Sequence, residues 1–336
     1  MWYLVLLNAR FNFYEGVSGA FWMGNKKILT HYGPRFRYTN VVITLPPPEY
    51  WETTLLDPMG TFNYETIPGY FAQDRGSAVG IPAVRLISKT IKIPARFGLL
   101  DDSQDRWTRF VTHIEELNKT PDRNTKYKVI FFGRHGEGFH NVGEAKYGTK
   151  AWDDYWSKLN GDGKLVWGPD PELTATGIRQ AVTAQEAWEI ELTFGIPLPE
   201  KLYTSPLTRA MKTCEVTFNG VLPDDKRRAV VVENCREENG VHTCDKRRTK
   251  GYIRENFPSF DIEPGFTEDD TLWDQHTRET KASLAQRAGK VLDIIFENDQ
   301  EVSHGGIING FLKCLGRLPY ALPTGGKKIV PLKGSF

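Results

Sequence analysis

One stretch, Lys126 to Asn141 (KYKVIFFGRHGEGFHN), constrains the fold of this chain more than any other. Val129, Ile130, Phe131 and Phe132 form a short apolar run that suits a strand buried on both faces. Gly133 ends the run, and Arg134-His135-Gly136 follows directly. Open α/β sheets place their ligand crevice at the carboxyl ends of such strands. An arginine and a histidine at that point read as a site rather than as an ordinary polar turn.

The flanking sequence predicts strands alternating with helices. Trp107, Phe110, Val111, Ile114 and Leu117 recur at helical spacing, which predicts a helix over about 103–118 capped by Asp101, Asp102 or Ser103. A second helix is expected from a Thr174 cap to about Leu192, with Ile178, Ala181, Val182, Trp188 and Leu192 on its buried side. Lys201–Thr204 and Ala229–Glu233 read as strands, and a long helix is expected over about 280–297. This alternation indicates an α/β domain with a largely parallel sheet. Residues 142–173 form a long connection rich in Trp, Gly and Asp. It reads equally as a lid or binding loop and as a loop that packs Trp152, Trp156 and Trp167 onto the domain. Residues 63–100 read as an irregular, Gly- and Pro-punctuated lead-in. Residues 1–62 show no clear helical period and are taken as an N-terminal extension of unknown role, ahead of a catalytic domain over 63–336.

Composition removes several classes of function. The formal net charge of +1 on 336 residues provides no global field for nucleic acid or membranes, so neither is expected as a partner. Anion binding must come from local clusters. Four cysteines in a chain of this length read as reduced thiols, not a disulfide framework. The apolar opening Met1–Leu7 is interrupted by Asn8 and Arg10 and lacks a basic leader. No apolar run approaches the ~18 residues of a transmembrane helix. These features give a cytoplasmic expectation and leave the oligomeric state open.

Four segments end at expected strand termini, and each carries one part of a site. Arg134 and His135 follow the first strand, Arg209 the second, Glu237 the third, and His304 the last. Two arginines and two histidines converging on one crevice suit a dianionic phosphate, because the planar guanidinium fork matches phosphate oxygens. A neutral imidazole can accept the phosphoryl group as nucleophile. The other cations stabilise charge on the transferring oxygens, and a carboxylic acid supplies the leaving group's proton. Glu237 is the candidate acid and Glu238 its competitor. The scheme needs no metal and no cofactor. Cys235, His242 and Cys244 sit at irregular spacing and match no zinc signature. His140 either touches substrate or makes a structural hydrogen bond. Asp245-Lys246-Arg247-Arg248 reads as a solvated surface run. Bordering the crevice, it would favour a substrate with more than one negative group.

Arg134-His135-Gly136, Ser205-Pro206-Leu207-Thr208-Arg209-Ala210 and Ser303-His304-Gly305-Gly306 resemble the motifs of the histidine phosphatase (phosphoglycerate mutase-like) superfamily. RHGEGFHN, DPELTATG, EENGVHTCDKR and SHGGIINGF are similar to its fungal phosphomutase-like branch. The resemblance covers roughly residues 64–320. It implies a three-layer α/β/α fold with a mostly parallel central sheet. His135 would be the phosphohistidine nucleophile, Glu237 the proton donor, and Arg134, Arg209 and His304 the phosphate pocket, with Asn141 as a further phosphate contact. The implied function is metal-independent hydrolysis of a phosphate monoester, with a small phosphorylated metabolite as substrate. A mutase that returns the phosphoryl group, or a silent phosphate-binding protein, are the alternatives. The chain departs from the family before His304, where the usual apolar strand is reduced to Asp299-Gln300-Glu301-Val302.

Overall fold

In the computed structural model, residues 2–7, 62–74, 93–119, 124–297, 308–315 and 322–335 are described. The apolar run at 129–132 lies in the strand β3 (Thr125–Arg134), and its alternation sends neighbouring side chains to opposite layers. Val129 and Phe131 enter one hydrophobic cluster, with Trp107, Trp188, Met211 and Phe218. Ile130 and Phe132 enter the other, with Leu284, Leu292, Phe296 and Phe311. A strand buried on both faces thus forms the middle of a three-layer arrangement. Each fully buried side chain of this kind contributes roughly 1.5–3 kcal/mol.

The first layer is built by α1 (Arg106–Asn118), α4 (Ala175–Leu192), α5 (Thr208–Phe218) and α6 (Lys250–Asn256). Helix α1 starts at Arg106, later than its sequence suggests, because Ser103 N–H donates to Asp101 Oδ1 in a turn of its own. It docks on α4 through one buried carboxylate: Arg106 Nε and Nη2 and Trp107 Nε1 all donate to Glu191 Oε2, at 3.0, 2.8 and 2.8 Å. Helix α4 keeps its expected bounds, with Thr174 Oγ1 accepting from Gly177 N–H as N-cap; Ala181 and Trp188 are buried as expected, but Val182, expected on the same side, is exposed. The other layer is built by α7 (Lys281–Glu297) and α8 (Ile308–Cys314).

The sheet has seven strands in the order β2-β7-β3-β1-β4-β5-β6. The remaining strands are β1 (Trp2–Leu7), β2 (Asn63–Thr66), β4 (Leu202–Thr204), β5 (Val230–Val231), β6 (Asp261–Ile262) and β7 (Lys327–Ser335). Only β4·β5 and β5·β6 pair in parallel among the described residues; β1·β3, β1·β4, β2·β7 and β3·β7 are antiparallel. The described sheet is therefore mixed, not mostly parallel. The antiparallel pairs all involve β1, β2 or β7, which lie outside the strand–helix alternation on which the parallel expectation rested.

Trp2–Leu7, expected within an N-terminal extension, pairs with β3 from Trp2↔Arg134 to Leu7↔Val129 and with β4 from Tyr3↔Thr204 to Val5↔Leu202. A division at residue 62 does not separate it from the sheet. The rest of that extension, residues 8–61, lies outside the described residues. The 142–173 connection holds two helices, the end of α2 (Phe139–Tyr147) and α3 (Thr149–Asp154). Trp152 and Trp167 are buried together beside Cys244. Trp167 Nε1 donates to the carbonyls of Trp156 and Leu159 at 3.1 and 2.8 Å. Of the two readings, packing on the domain is the one these tryptophans follow. No helix among the described residues is long and apolar enough to cross a membrane.

Candidate active site

Arg134 closes β3, and His135 is the first residue beyond it, 2% exposed. The turn is fixed from three sides. Arg134 N–H donates to Gly326 O and His135 O accepts from Gly325 N–H, at 3.0 and 2.8 Å, which ties it to the segment before β7. Gly136 N–H donates to Thr213 Oγ1 of α5 at 3.0 Å, and Glu137 N–H to Gln180 Oε1 of α4 at 2.7 Å. Gly136 and Gly177 meet backbone to backbone. A Cβ on Gly136 would sit 2.2 Å from Gly177 O, and a Cβ on Gly177 would sit 2.1 Å from Glu137 O. Two glycines are needed here for close approach alone.

The imidazole of His135 is held by a short contact between Nδ1 and the Gly136 carbonyl. A carbonyl only accepts, so Nδ1 carries the proton and Nε2 the lone pair. Burial, with the positive charge of Arg209 and Arg134 around it, holds this histidine well below its ordinary pKa and keeps it neutral. Its ring centre is 5.2 Å from that of His140.

Arg209 lies in the first turn of α5, 1% exposed. Its Nη1 donates to Cys244 O at 2.6 Å and its Nη2 to Asp245 Oδ1 at 2.9 Å. Its Nε is buried with no hydrogen-bond partner among the described residues. The N-terminus of α5 is itself pinned by Asp170, which accepts from Thr208 N–H and Oγ1 at 2.9 and 2.7 Å. Burial pushes the Asp170 carboxyl up to about 6, against the opposing pull of Arg209 and Thr208. Arg134 Nη1 donates to Leu322 O at 2.7 Å.

Glu237 and Glu238 separate clearly. Glu238 pairs with Arg278, 3.5 Å from its Nε, and with Lys281. Glu237 is half-buried and within electrostatic range of Arg134, Arg209 and His140. Burial raises its proton affinity, but the surrounding positive charge, Arg209 included, and the Glu238 N–H outweigh it, and the net shift is downward. The backbone of this segment hangs from α7: Arg287 donates to the carbonyls of Asn234, Arg236 and Glu237 at 2.7, 3.2 and 3.1 Å.

The structure therefore brings Arg134, His135, Arg209 and Glu237 to one place. Asn141 is nearby, in the first turn of α2, where its Oδ1 accepts from Gly138 N–H at 3.0 Å. His304 and the segment before it lie outside the described residues. The 245–248 run is not a plain solvated surface. Asp245 and Arg247 are buried, Asp245 between Arg209 and Arg278, and Arg247 against Glu233 and the carbonyls of Thr267, Glu268 and Asp269. Asp245, Asp170 and Thr213 are site-building residues that the sequence reading missed. Asp170 opens the DPELTATG motif and Asp245 lies in EENGVHTCDKR, and Thr213 follows Arg209 by one helical turn.

Ligand-type atoms of His242, Cys244 and Asp245 lie within 4.8 Å of one another. Burial, aided by Asp245, pushes the Cys244 thiol well up, so it keeps its proton. Both Asp245 oxygens already accept from guanidiniums, Oδ1 from Arg209 and Oδ2 from Arg278. A protonated thiol and a doubly paired carboxylate are poor donors to a cation. Cys235 lies apart, in the cluster beneath α7.

Fold and site together define an α/β protein with two arginines clustered around a buried, neutral histidine at a strand end. The chain belongs to the histidine phosphatase superfamily (branch 1), whose family model matches residues 130–325. It is 43% identical over 290 residues to a probable phosphoglycerate mutase of Arthroderma benhamiae, covering 80% of this chain and 83% of that one. It is 32% identical over 269 residues to phosphomutase-like protein 3 of Candida albicans, covering 78% of each. Among solved structures, the ecdysone phosphate phosphatase from Bombix mori in complex with tungstate is similar at 17% identity and a TM-score of 0.38. That match covers 59% of this chain and 86% of that chain.

Proposed function

We propose that this protein hydrolyses a phosphate monoester of a small metabolite through a phosphohistidine on His135. The observation that carries this reading is the seat of the His135 ring, with Nδ1 spent on the Gly136 carbonyl and an unprotonated Nε2 left to attack. Nε2 forms a bond to phosphorus as the ester P–O bond breaks, and the leaving alkoxide takes a proton from the Glu237 carboxyl. Water then attacks the phosphoenzyme, gives its proton to Glu237 and releases phosphate from His135. Arg134, Arg209 and Asn141 bind the phosphoryl oxygens in this scheme, and His304 is assigned with them on sequence. The buried Nε–H of Arg209 is a donor suited to such an oxygen. Glu237 is ionised in the empty site, and a bound dianion beside it favours the protonated form that donates. The scheme uses no metal and no cofactor, and we assign the protein to the cytoplasm.

The printed names of the relatives motivate a second reading, a mutase that returns the phosphoryl group to its substrate. A panel of phosphorylated sugars and glycerates separates the two by free phosphate against isomerised ester. Acid-labile, base-stable labelling that is lost in His135→Ala supports the phosphohistidine. Wild-type protein that turns over an ester without any such labelling would sink it.

A further inference from the structure

His140 is a buried histidine for which the described residues provide no structural hydrogen bond at Nδ1. It is 9% exposed, in the first turn of α2. Its Nδ1 is fully shielded and has no hydrogen-bond partner among the described residues. Buried polar atoms are nearly always paired, so such an atom calls for a functional account.

The ring occupies a place kept open by a missing side chain. A Cβ on Gly138 would come within 2.7 Å of His140 Nδ1 and 2.8 Å of Cε1, against 3.3 Å to the nearest backbone atom, Glu172 O. Gly138 itself is extended, at φ −101° and ψ 165°, a conformation open to any residue. What excludes a side chain at 138 is chiefly the His140 ring. The ring so seated stands 5.2 Å from the His135 ring, centre to centre, with their planes at 49°. Arg209 and Arg134 act on it from α5 and β3, and Glu237 from the segment after β5.

We propose that His140 is a catalytic residue of the phosphoryl site, donating a ring N–H to the phosphoryl group while that group is carried on His135. This assignment rests on the phosphohistidine reading above. In the empty site burial and the two arginines keep His140 neutral, so it adds no charge to repel His135. Arrival of a phosphoryl dianion next to it favours protonation, and the imidazolium then offsets charge on the transferring oxygens. A nitrogen with no partner among the described residues is consistent with a group whose partner is the substrate.

The test is rapid-quench phosphoenzyme formation with p-nitrophenyl phosphate, on wild type, His140→Phe, Gly138→Ala, and His140→Phe combined with Gly138→Ala. Phe keeps the ring and removes the donor. Loss of one preorganised donor costs about 10²–10³-fold in the rate of the step it serves, and kcat and kcat/KM fall together when the contact exists only in the transition state. His140→Phe is expected to show that loss with an unchanged unfolding midpoint. Gly138→Ala is expected to show a smaller loss by displacing the ring, and no further loss in the double variant. Wild-type labelling rates in a folded His140→Phe protein overturn the assignment, as does additive loss in the double variant. No phosphoenzyme in wild type would instead defeat the parent reading.

Discussion

Arg209 Nη2 meets Asp245 Oδ1 at 2.9 Å with both side chains buried, and Asp245 Oδ2 meets Arg278 Nη1 at the same distance. The one carboxylate thus pairs with two guanidiniums, that of Arg209 beside His135 and that of Arg278. Its neighbour in sequence, Cys244, provides the carbonyl for Arg209 Nη1. The direction in which Arg209 presents its remaining Nε–H is therefore set from the 244–245 segment.

Removing one partner of a buried ion pair leaves an uncompensated charge and costs about 3–5 kcal/mol. Asp245→Ala is expected to lose stability of that order, read as a lowered urea midpoint. Asp245→Asn, which keeps an acceptor, should lose less stability and still lose phosphate release, because the pull on Arg209 is weaker. The exposed pair Lys150–Asp154 is the comparison: Asp154→Ala should leave both measurements near wild type.

Glu237→Gln and Glu238→Gln should divide by function. A general acid or base contributes ~10²–10⁴-fold. Glu237→Gln is expected to fall in that range on alkyl phosphates and much less on p-nitrophenyl phosphate, whose leaving group needs little protonation. Glu238→Gln removes the charge that pairs with Arg278 and Lys281 and should change kcat by no more than a few-fold. Equal losses in the two variants, on both substrate types, would contradict the assignment of Glu237.

Asp170 gives a pH dependence of opposite sign to that of most carboxylates. Its folded pKa is raised to about 6 by burial, above the 3.8 of the free side chain. Between these values the folded state binds more protons, so this group's contribution is full below pH 3.8 and is lost as pH rises through 6. The span corresponds to something on the order of 3 kcal/mol. Asp170→Asn keeps an acceptor for Thr208 and cannot titrate. Urea unfolding at pH 4.5 and pH 7 should therefore show the variant gaining on wild type as pH rises, and parallel curves would refute the shift.

The parts of the fold that were legible in sequence had a period or a cap to read. Thr174 bonds Gly177 as a cap should, and α7 begins and ends within a residue of its expected bounds. The strands that were missed hide for physical reasons. β7 reads KKIVPLKGS, and a proline in an interior strand argues against a strand on sequence alone. Pro331 nevertheless sits opposite Val129 of β3, and its carbonyl accepts from Ile67 N–H. Lys328 is buried because its Nζ reaches Gln73 O at 3.3 Å, a partner 255 positions away. At the candidate site, the four residues that the structure brings together, Arg134, His135, Arg209 and Glu237, were legible as candidates because each follows an apolar run. Asp245 could not, since a charged run such as Asp245-Lys246-Arg247-Arg248 does not reveal that its first and third members are buried by long-range partners.

The contact between Gly136 and Gly177 has a consequence for how this sequence can vary. Each glycine is forced by the other segment's carbonyl oxygen, not by a side chain. A substitution at one position therefore has no remedy at the other. The two do not form a covarying pair but two independent prohibitions, and a library randomised at both should return glycine at each without correlation. At these two glycines the histidine turn and the helix that begins beside it approach main chain to main chain, so no change of side chain on the facing segment makes room for a Cβ.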